Sequence, residues 1–247
     1  MKNYVNAALV LILLAFAASG CSQKLSEIQA EYLAMLESPA SPQSILSIGA
    51  YLDKNLKAFD TGHADQMVMA YEDYIFMYDS EGPDYKEFTD RYRKRISEPL
   101  SGLYEIKLYE KENPMVTGDA ALLCSWKQLG IRALNLEVFI KENKNHMLVR
   151  EEAARIYEYY VKAMLSGTKG TPVFEQASGK FKEDALVAYA EIVASFPDTT
   201  VASALVEYLE YLANVDFALD YGNAEENTVF SDVCAHLASE AGKRVLL

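Results

Sequence analysis

The stretch LLCSWKQLGIRALNLEVFI, residues 122–140, decides the fold class of this chain. Apolar residues recur in it at alternating steps of four and three: Leu122, Trp126, Leu129, Ala133, Leu136 and Ile140. Because an α-helix turns once in about 3.6 residues, this spacing places all these side chains on one face. The stretch therefore predicts a long helix that continues through Gly130 and has Thr117 as its N-cap.

A second interpretation of residues 134–140 stays open at this point. Leu134, Leu136, Val138 and Ile140 also recur at steps of two, which is the period of a β-strand. We favour the helix, because no turn residue isolates the segment and no other strand is evident that could pair with it.

Helical periodicity extends over most of the chain, and the segments that interrupt it contain proline or glycine. We expect an all-α fold of about ten helices in antiparallel hairpins, forming a bundle or a loosely repeat-like array. Residues 21–247 are expected to form a single helical domain. The Gly-rich segment 166–180 is the expected place for a subdivision or a functional loop, because it is the longest irregular stretch in that domain.

Four helical segments share one spacing, in which a small or flexible residue is followed by an aromatic residue and then by Tyr or Ile. The copies are Met67/Tyr71/Tyr74, Ala153/Tyr157/Tyr160, Ala185/Tyr189/Ile192 and Ala204/Tyr208/Tyr211. The spacing resembles the second helix of a tetratricopeptide repeat, and Pro197 stands where that family often has a proline. The resemblance implies stacked helical hairpins. The copies lack a fixed period, so ordinary packing of amphipathic helices is the alternative.

Residues 1–21 have the layout of a secretory signal peptide. Lys2 precedes an apolar segment, residues 7–17, that is too short to span a bilayer as a helix. The small residues 18–20 then lead directly to Cys21. This end resembles the lipobox of bacterial lipoproteins. The resemblance implies cleavage before the cysteine, acylation of its thiol, and export to the bacterial cell membrane or outer membrane. An ordinary secretory signal with an incidental cysteine is the alternative.

Two further cysteines, Cys124 and Cys234, lie in apolar helical contexts. In an oxidising compartment they could form a disulfide, and as free thiols they would behave as small buried apolar residues. Both interpretations stay open.

The charge of the chain is unevenly distributed. The formal net charge is −13, and residues 183–242 contain no Lys or Arg although they contain twelve acidic residues. A segment with charges of one sign attracts cationic partners and repels anionic ones, so we expect no binding to nucleic acid. The expected partner is an envelope protein or peptide with basic segments, or the basic cluster 91–95 of a second copy. A solvated face shaped by the acidic composition is the alternative.

Tyrosine is abundant, with 17 copies, and most of them lie on predicted apolar stripes. Tyrosine combines a large apolar body with a polar tip, so it suits both cores and binding surfaces. Adjacent or closely spaced tyrosines cannot all face inward. The expected interaction surface comprises Glu207, Glu210, Asp216, Asp220, Glu225 and Glu226, together with Tyr159, Tyr208 and Tyr211.

The chain contains no motif for catalysis or for a cofactor, so we expect neither an enzyme nor a bound cofactor. Asp232, His236 and Glu240 recur at steps of four and would share one helix face, which makes them a weak candidate for part of a metal site. We favour a solvated helix face as the explanation of this spacing, because helix surfaces carry such polar residues routinely.

These features together predict a lipid-anchored envelope protein that acts as a non-catalytic interaction module. The alternative is a receptor for a small ligand, such as a sugar or a cell-wall fragment, that uses exposed tyrosines. A pocket lined by several tyrosines and lacking basic groups would favour the receptor. A groove with acids on its rim would favour the interaction module.

Overall fold

The computed structural model describes residues 23–247, so Cys21 and the segment that resembles a lipobox lie outside the described residues. Within this part of the chain, the expected all-α fold of about ten helices is confirmed, and no strand is present. The helices are α1 (Gln23–Leu36), α2 (Pro42–Asn55), α3 (Thr61–Tyr78), α4 (Tyr85–Tyr92), α5 (Glu98–Glu112), α6 (Trp126–Glu142), α7 (Met147–Ser166), α8 (Glu183–Ser195), α9 (Thr200–Asn214) and α10 (Ala224–Arg244).

None of the helices in residues 23–247 is both long enough and apolar enough to cross a membrane.

The chain divides into two compact units, with the division between Leu108 and Tyr109, inside α5. The Gly-rich segment 166–180 lies within the second unit, Tyr109–Leu247. There it forms a series of turns between α7 and α8.

Buried tyrosines hold the first unit together. Helix α2 packs against both α1 and α3. The Tyr32 hydroxyl on α1 donates to the Met67 carbonyl on α3 at 2.6 Å, and the Tyr74 hydroxyl on α3 donates to the Ser38 carbonyl at 3.0 Å. Both rings are buried, so each tyrosine adds apolar area to the core and also satisfies a backbone carbonyl.

A buried ion pair lies in the same unit, between α3 and α5. Lys107 Nζ is 2.6 Å from Glu72 Oε1, and the Tyr85 hydroxyl donates to the same carboxylate at 2.6 Å. A buried charge is tolerated only when it is paired and hydrogen-bonded, and both conditions are met here.

The second unit is built around α6, which contains most of residues 122–140. Helix α6 packs against α7 and α8, and α7 packs against α10. The helix interpretation of residues 134–140 is confirmed, because α6 runs without interruption from Trp126 to Glu142. At Gly130 it passes so close to α8 that a Cβ atom there would overlap the Ile192 side chain.

The predicted start of this helix was wrong. Ser125, not Thr117, is the N-cap, and it forms a capping box with Gln128. Thr117 instead closes a tight turn, in which its N–H donates to the Ala121 carbonyl at 2.8 Å and Ala120 adopts a left-handed φ of 62°. Leu122 continues the apolar spacing of the helix by coincidence, because it lies in that turn segment.

Two tyrosine hydroxyls cap the C-terminus of α7. The last carbonyls of a helix have no partner within the helix. Here the Tyr189 hydroxyl on α8 donates to the Met164 carbonyl, and the Tyr208 hydroxyl on α9 donates to the Leu165 carbonyl. These bonds join the end of α7 to both helices that follow it.

The buried carboxylate of Glu137 on α6 performs the corresponding task at the N-terminus of α9. Its side chain is 2% exposed. It accepts hydrogen bonds from the backbone N–H groups of Thr200 and Val201, at 2.8 and 3.2 Å, and an ion pair from Lys141 at 2.7 Å. An anion is stabilised at the N-terminus of a helix by the unpaired N–H groups and by the helix dipole.

We expect Glu137→Ala to lower the free energy of unfolding by about 3 kcal/mol, because it removes the acceptor of the half-buried Thr200 N–H and of the buried Val201 N–H. Glu137→Gln keeps one acceptor oxygen and should cost about half as much. Urea denaturation followed by circular dichroism measures both. Glu142→Ala, at an exposed position of the same helix, is the matched control and should change stability by less than about 0.5 kcal/mol. Equal effects of the Glu137 and Glu142 variants would contradict the capping role.

Candidate binding clefts

A cleft of about 720 Å³ lies where α9 ends and α10 begins. Four of its lining residues are acidic, namely Asp216, Asp220, Glu225 and Glu226, and we call it the acidic cleft. The remaining lining residues are Tyr211, Val215, Ala218, Leu219, Asn223 and Val229. Five members of the predicted interaction surface, the four acids and Tyr211, therefore come together in one concave site.

One wall of the acidic cleft is shaped by two consecutive residues with left-handed backbone. Asp216 and Phe217 both have a φ of 52°. The Phe217 N–H donates to the Leu212 carbonyl at 2.9 Å, which closes the end of α9, and the Phe217 carbonyl accepts from the Phe181 N–H at 2.9 Å. The abrupt change of direction leaves the Asp216 side chain exposed at the rim.

The opposite wall is the first turn of α10. The Asn223 side chain caps this helix by accepting from the N–H groups of Glu225 and Glu226. The Glu226 carboxylate accepts from Asn223 Nδ2 at 2.7 Å and from the Asp220 N–H at 3.3 Å, so its orientation is fixed. Glu225 is exposed. The helix dipole favours both carboxylates at this position.

The charge of the acidic cleft is not neutralised locally. Among the described residues, none of its four carboxylates forms an ion pair with a Lys or Arg side chain. Glu207, by contrast, pairs with Arg244 at 2.5 Å and does not line the cleft. Glu210 is exposed and also lies outside the lining.

The predicted role of Tyr208 in this surface was wrong. Its ring is 0% exposed, and its hydroxyl is used to cap α7. Burial, as the largest cause, raises the pKa of the Tyr208 hydroxyl above its ordinary value. Tyr159, on α7, is 52% exposed but does not line the acidic cleft. Helical spacing alone does not tell which tyrosine is buried and which is exposed, because α7 and α9 each contain more than one tyrosine.

The structure does not arrange the weak metal candidates Asp232, His236 and Glu240 as a metal site. Asp232 and His236 are exposed on α10, and the Glu240 carboxylate pairs with Lys243 at 2.7 Å. Within residues 23–247, no group of three or more His, Cys, Asp or Glu side chains is arranged to hold a metal ion.

A second cleft, of about 600 Å³, was missed by the sequence analysis. It lies between the end of α5 and the first turns of α6, and we call it the α5–α6 cleft. Its lining consists of Tyr109, Asn113, Pro114, Leu123, Cys124, Lys127, Gln128, Ile131, Arg132 and Asn135. These residues come from separate segments and form no motif, so nothing in their spacing points to a shared site.

Cys124 and Cys234 are free thiols in the structure. Cys124 is half-buried at the α5–α6 cleft, and burial raises the pKa of its thiol. Cys234 is buried within α10, and burial raises the pKa of its thiol to about 12. A raised pKa leaves little of either cysteine as the thiolate, which is the nucleophilic form, at neutral pH.

Comparison with known proteins finds no match to this chain among protein families, curated proteins or solved structures.

We expect Tyr208→Phe to lower the free energy of unfolding by about 1–2 kcal/mol, because it leaves the Leu165 carbonyl buried without its donor. Tyr159→Phe removes a hydroxyl from an exposed ring and is the matched control, with an expected change below about 0.5 kcal/mol. Thermal and urea denaturation of both variants measure the difference. Indistinguishable stabilities would show that the Tyr208 hydroxyl does not cap α7.

Proposed function

We propose that this protein is a lipid-anchored component of the bacterial cell envelope that acts as a non-catalytic interaction module, and that its acidic cleft binds a basic segment of another envelope protein or peptide. The observation that carries this proposal is the set of four carboxylates around one concave site, none of which is paired with a Lys or Arg side chain of residues 23–247. The surrounding segment 183–242 also contains no Lys or Arg.

The lining of the acidic cleft indicates what such a segment looks like. Val215, Leu219 and Val229 supply apolar contacts, while the four acids supply acceptors for Lys or Arg. A partner that places an apolar side chain between two basic residues satisfies both kinds of contact. The apolar contact supports affinity, and the charges raise the association rate and select the partner.

The residues that line the clefts also favour an interaction module over the alternative of a sugar receptor. The receptor would use a pocket lined by several tyrosines. The acidic cleft contains one tyrosine, Tyr211, and the α5–α6 cleft also contains one, Tyr109. The acids on the rim match the groove expected for a basic partner.

The binding proposal is tested with a library of nonapeptides in which central positions vary. We expect wild-type protein to enrich peptides with Lys or Arg on both sides of an apolar residue. The double variant Asp216→Asn/Glu225→Gln should weaken their binding by about tenfold or more. Asparagine tolerates left-handed backbone, so this variant should keep the shape of the loop.

The matched control is Asp198→Asn/Asp232→Asn, which removes the same net charge at two exposed positions outside the acidic cleft. It should change affinity by less than about twofold. Raising the salt concentration from about 0.05 to 0.5 M should weaken binding to wild type, since salt screens exposed charges. No enrichment of basic peptides, or equal losses in the two double variants, would refute the acidic cleft as the binding site.

The anchoring proposal is tested separately, by expressing the full chain in a bacterium fed with a labelled fatty acid. Wild type and Cys124→Ser should both incorporate the label and partition into detergent, because several acyl chains hold a protein stably in a bilayer. Cys21→Ser should abolish both. Label that persists in Cys21→Ser, or that is absent from wild type, would contradict a lipid anchor at Cys21 and leave the binding proposal untouched.

A further inference from the structure

A turn in the first unit exposes three consecutive cations. Residues 93–97 connect α4 to α5, and within them the side chains of Arg93, Lys94 and Arg95 are all exposed. We call these three residues the basic turn. In a chain with a formal net charge of −13, three adjacent cations form a local patch of the opposite sign. Such a patch attracts an acidic surface.

The structure separates Arg91 from the rest of the basic cluster 91–95. Its Nη2 group lies 2.6 Å from Asp53 Oδ2, and its Nε group donates to Asp53 Oδ1 at 2.9 Å. This guanidinium is therefore bound by a carboxylate in two places, which is the strong form of such a pair. The charges that a partner can reach are those of the basic turn.

The cations of the basic turn are not neutralised in this way. Among the described residues, neither Lys94 nor Arg95 forms an ion pair. Arg93 lies 3.8 Å from Glu105, but both side chains are more than half exposed. An exposed pair at this distance contributes little and is easily exchanged for another carboxylate.

Backbone hydrogen bonds and a buried side chain hold the basic turn in place. The Arg95 N–H donates to the Tyr92 carbonyl at 2.7 Å. Directly after the turn, Ile96 is buried, and the Ser97 N–H donates to the buried Asp65 carboxylate at 2.7 Å. A segment that is ordered before it binds loses less conformational entropy on binding. The basic turn is therefore preorganised for a partner.

The acidic cleft complements the basic turn in charge and in the kind of contact that it offers. Its four carboxylates form no ion pair with a Lys or Arg of residues 23–247, and its volume of about 720 Å³ suits a ligand the size of a few side chains. Arg and Lys carry charged heads on apolar stems. The stems can contact Val215, Leu219 and Val229 while the heads reach the acids.

We propose that two copies of this protein associate head to tail, with the basic turn of one copy bound in the acidic cleft of the other. This inference rests on the proposed function, because it identifies the basic partner segment as one that the chain itself carries. The turn and the cleft are different surfaces, so the contact is heterologous. Such a contact repeats from copy to copy and forms a ring or an open chain.

A second copy fits the basic turn better than an anionic lipid surface does. A membrane with anionic headgroups repels a chain whose formal net charge is −13, and this repulsion opposes the attraction of three cations. The acidic cleft of a second copy is a local acceptor, and it is present wherever the basic turn is present.

Binding between copies is measured with purified full-length protein in a neutral detergent, used in such excess that a micelle holds at most one copy. One population carries biotin after the exposed Leu247 and is immobilised, and a second population carries a fluorophore. We expect wild type to bind wild type. Raising the salt concentration from about 0.05 to 0.5 M should weaken this binding by about tenfold or more, since salt screens exposed charges.

Two variants test the direction of the contact. The turn variant is Arg93→Gln/Lys94→Gln/Arg95→Gln. The cleft variant is Asp216→Asn/Glu225→Gln. Each should bind its own kind about tenfold or more weakly than wild type does. A mixture of the two should bind, because the cleft variant keeps its turn and the turn variant keeps its cleft. Light scattering should find complexes of two copies in this mixture, a result that loss of folding cannot produce.

The matched control is Lys54→Gln/Lys57→Gln/Lys86→Gln, which removes the same charge at three exposed lysines of the first unit outside the basic turn. Exposed lysines away from the contact contribute little, so this variant should bind its own kind within about twofold of wild type.

No binding between wild-type copies would overturn the proposal. So would a mixture of the two variants that does not bind, or equal losses in the turn variant and the lysine control. Binding of wild type but not of the turn variant to phosphatidylglycerol vesicles, without binding between copies, would overturn it in favour of a lipid surface. The nonapeptide library separates this failure from that of the proposed function, because basic peptides enriched by the acidic cleft without binding between copies refute the head-to-tail contact alone.

Discussion

The buried carboxylate of Glu137 is the constraint on which the second unit depends. It lies on α6, pairs with Lys141 on the same helix, accepts from the Tyr157 hydroxyl of α7, and holds the first N–H groups of α9. An ionised side chain in this position is stabilised only if all its acceptor sites are used, and here donors approach both oxygens. Three helices are therefore placed by one group, with little freedom to rotate about their axes.

The position of α9 in turn determines where the acidic cleft forms. Glu137 holds its N-terminus, the Tyr208 hydroxyl ties its middle to the end of α7, and its C-terminus turns at Asp216 into the wall of the cleft. The rim acids are exposed, so they add little to stability themselves. A core of buried hydrogen bonds thus supports a charged site at the surface.

Buried tyrosines in this protein donate hydrogen bonds to backbone carbonyls as well as filling the core. Tyr32, Tyr74, Tyr189 and Tyr208 are all buried, and each donates its hydroxyl to a backbone carbonyl of another segment. This use accounts for four of the tyrosines that lie on apolar stripes. The rings that donate these bonds are buried, and each of the two described clefts has a single tyrosine in its lining rather than the aromatic lining expected of a sugar receptor.

The sequence by itself determined the helical class, the uneven charge, and the position in the chain of the acids that line the acidic cleft. These are local properties, because helical spacing and charge density are read over neighbouring residues. Only the tertiary structure decided that Tyr208 is buried, that Glu207 is paired with Arg244, and that α6 begins at Ser125 rather than Thr117. It alone brought Tyr109 and Arg132 to one cleft. Each of these outcomes rests on contacts between residues far apart in the chain or on competition between two possible caps, and neither leaves a periodic signal in the sequence.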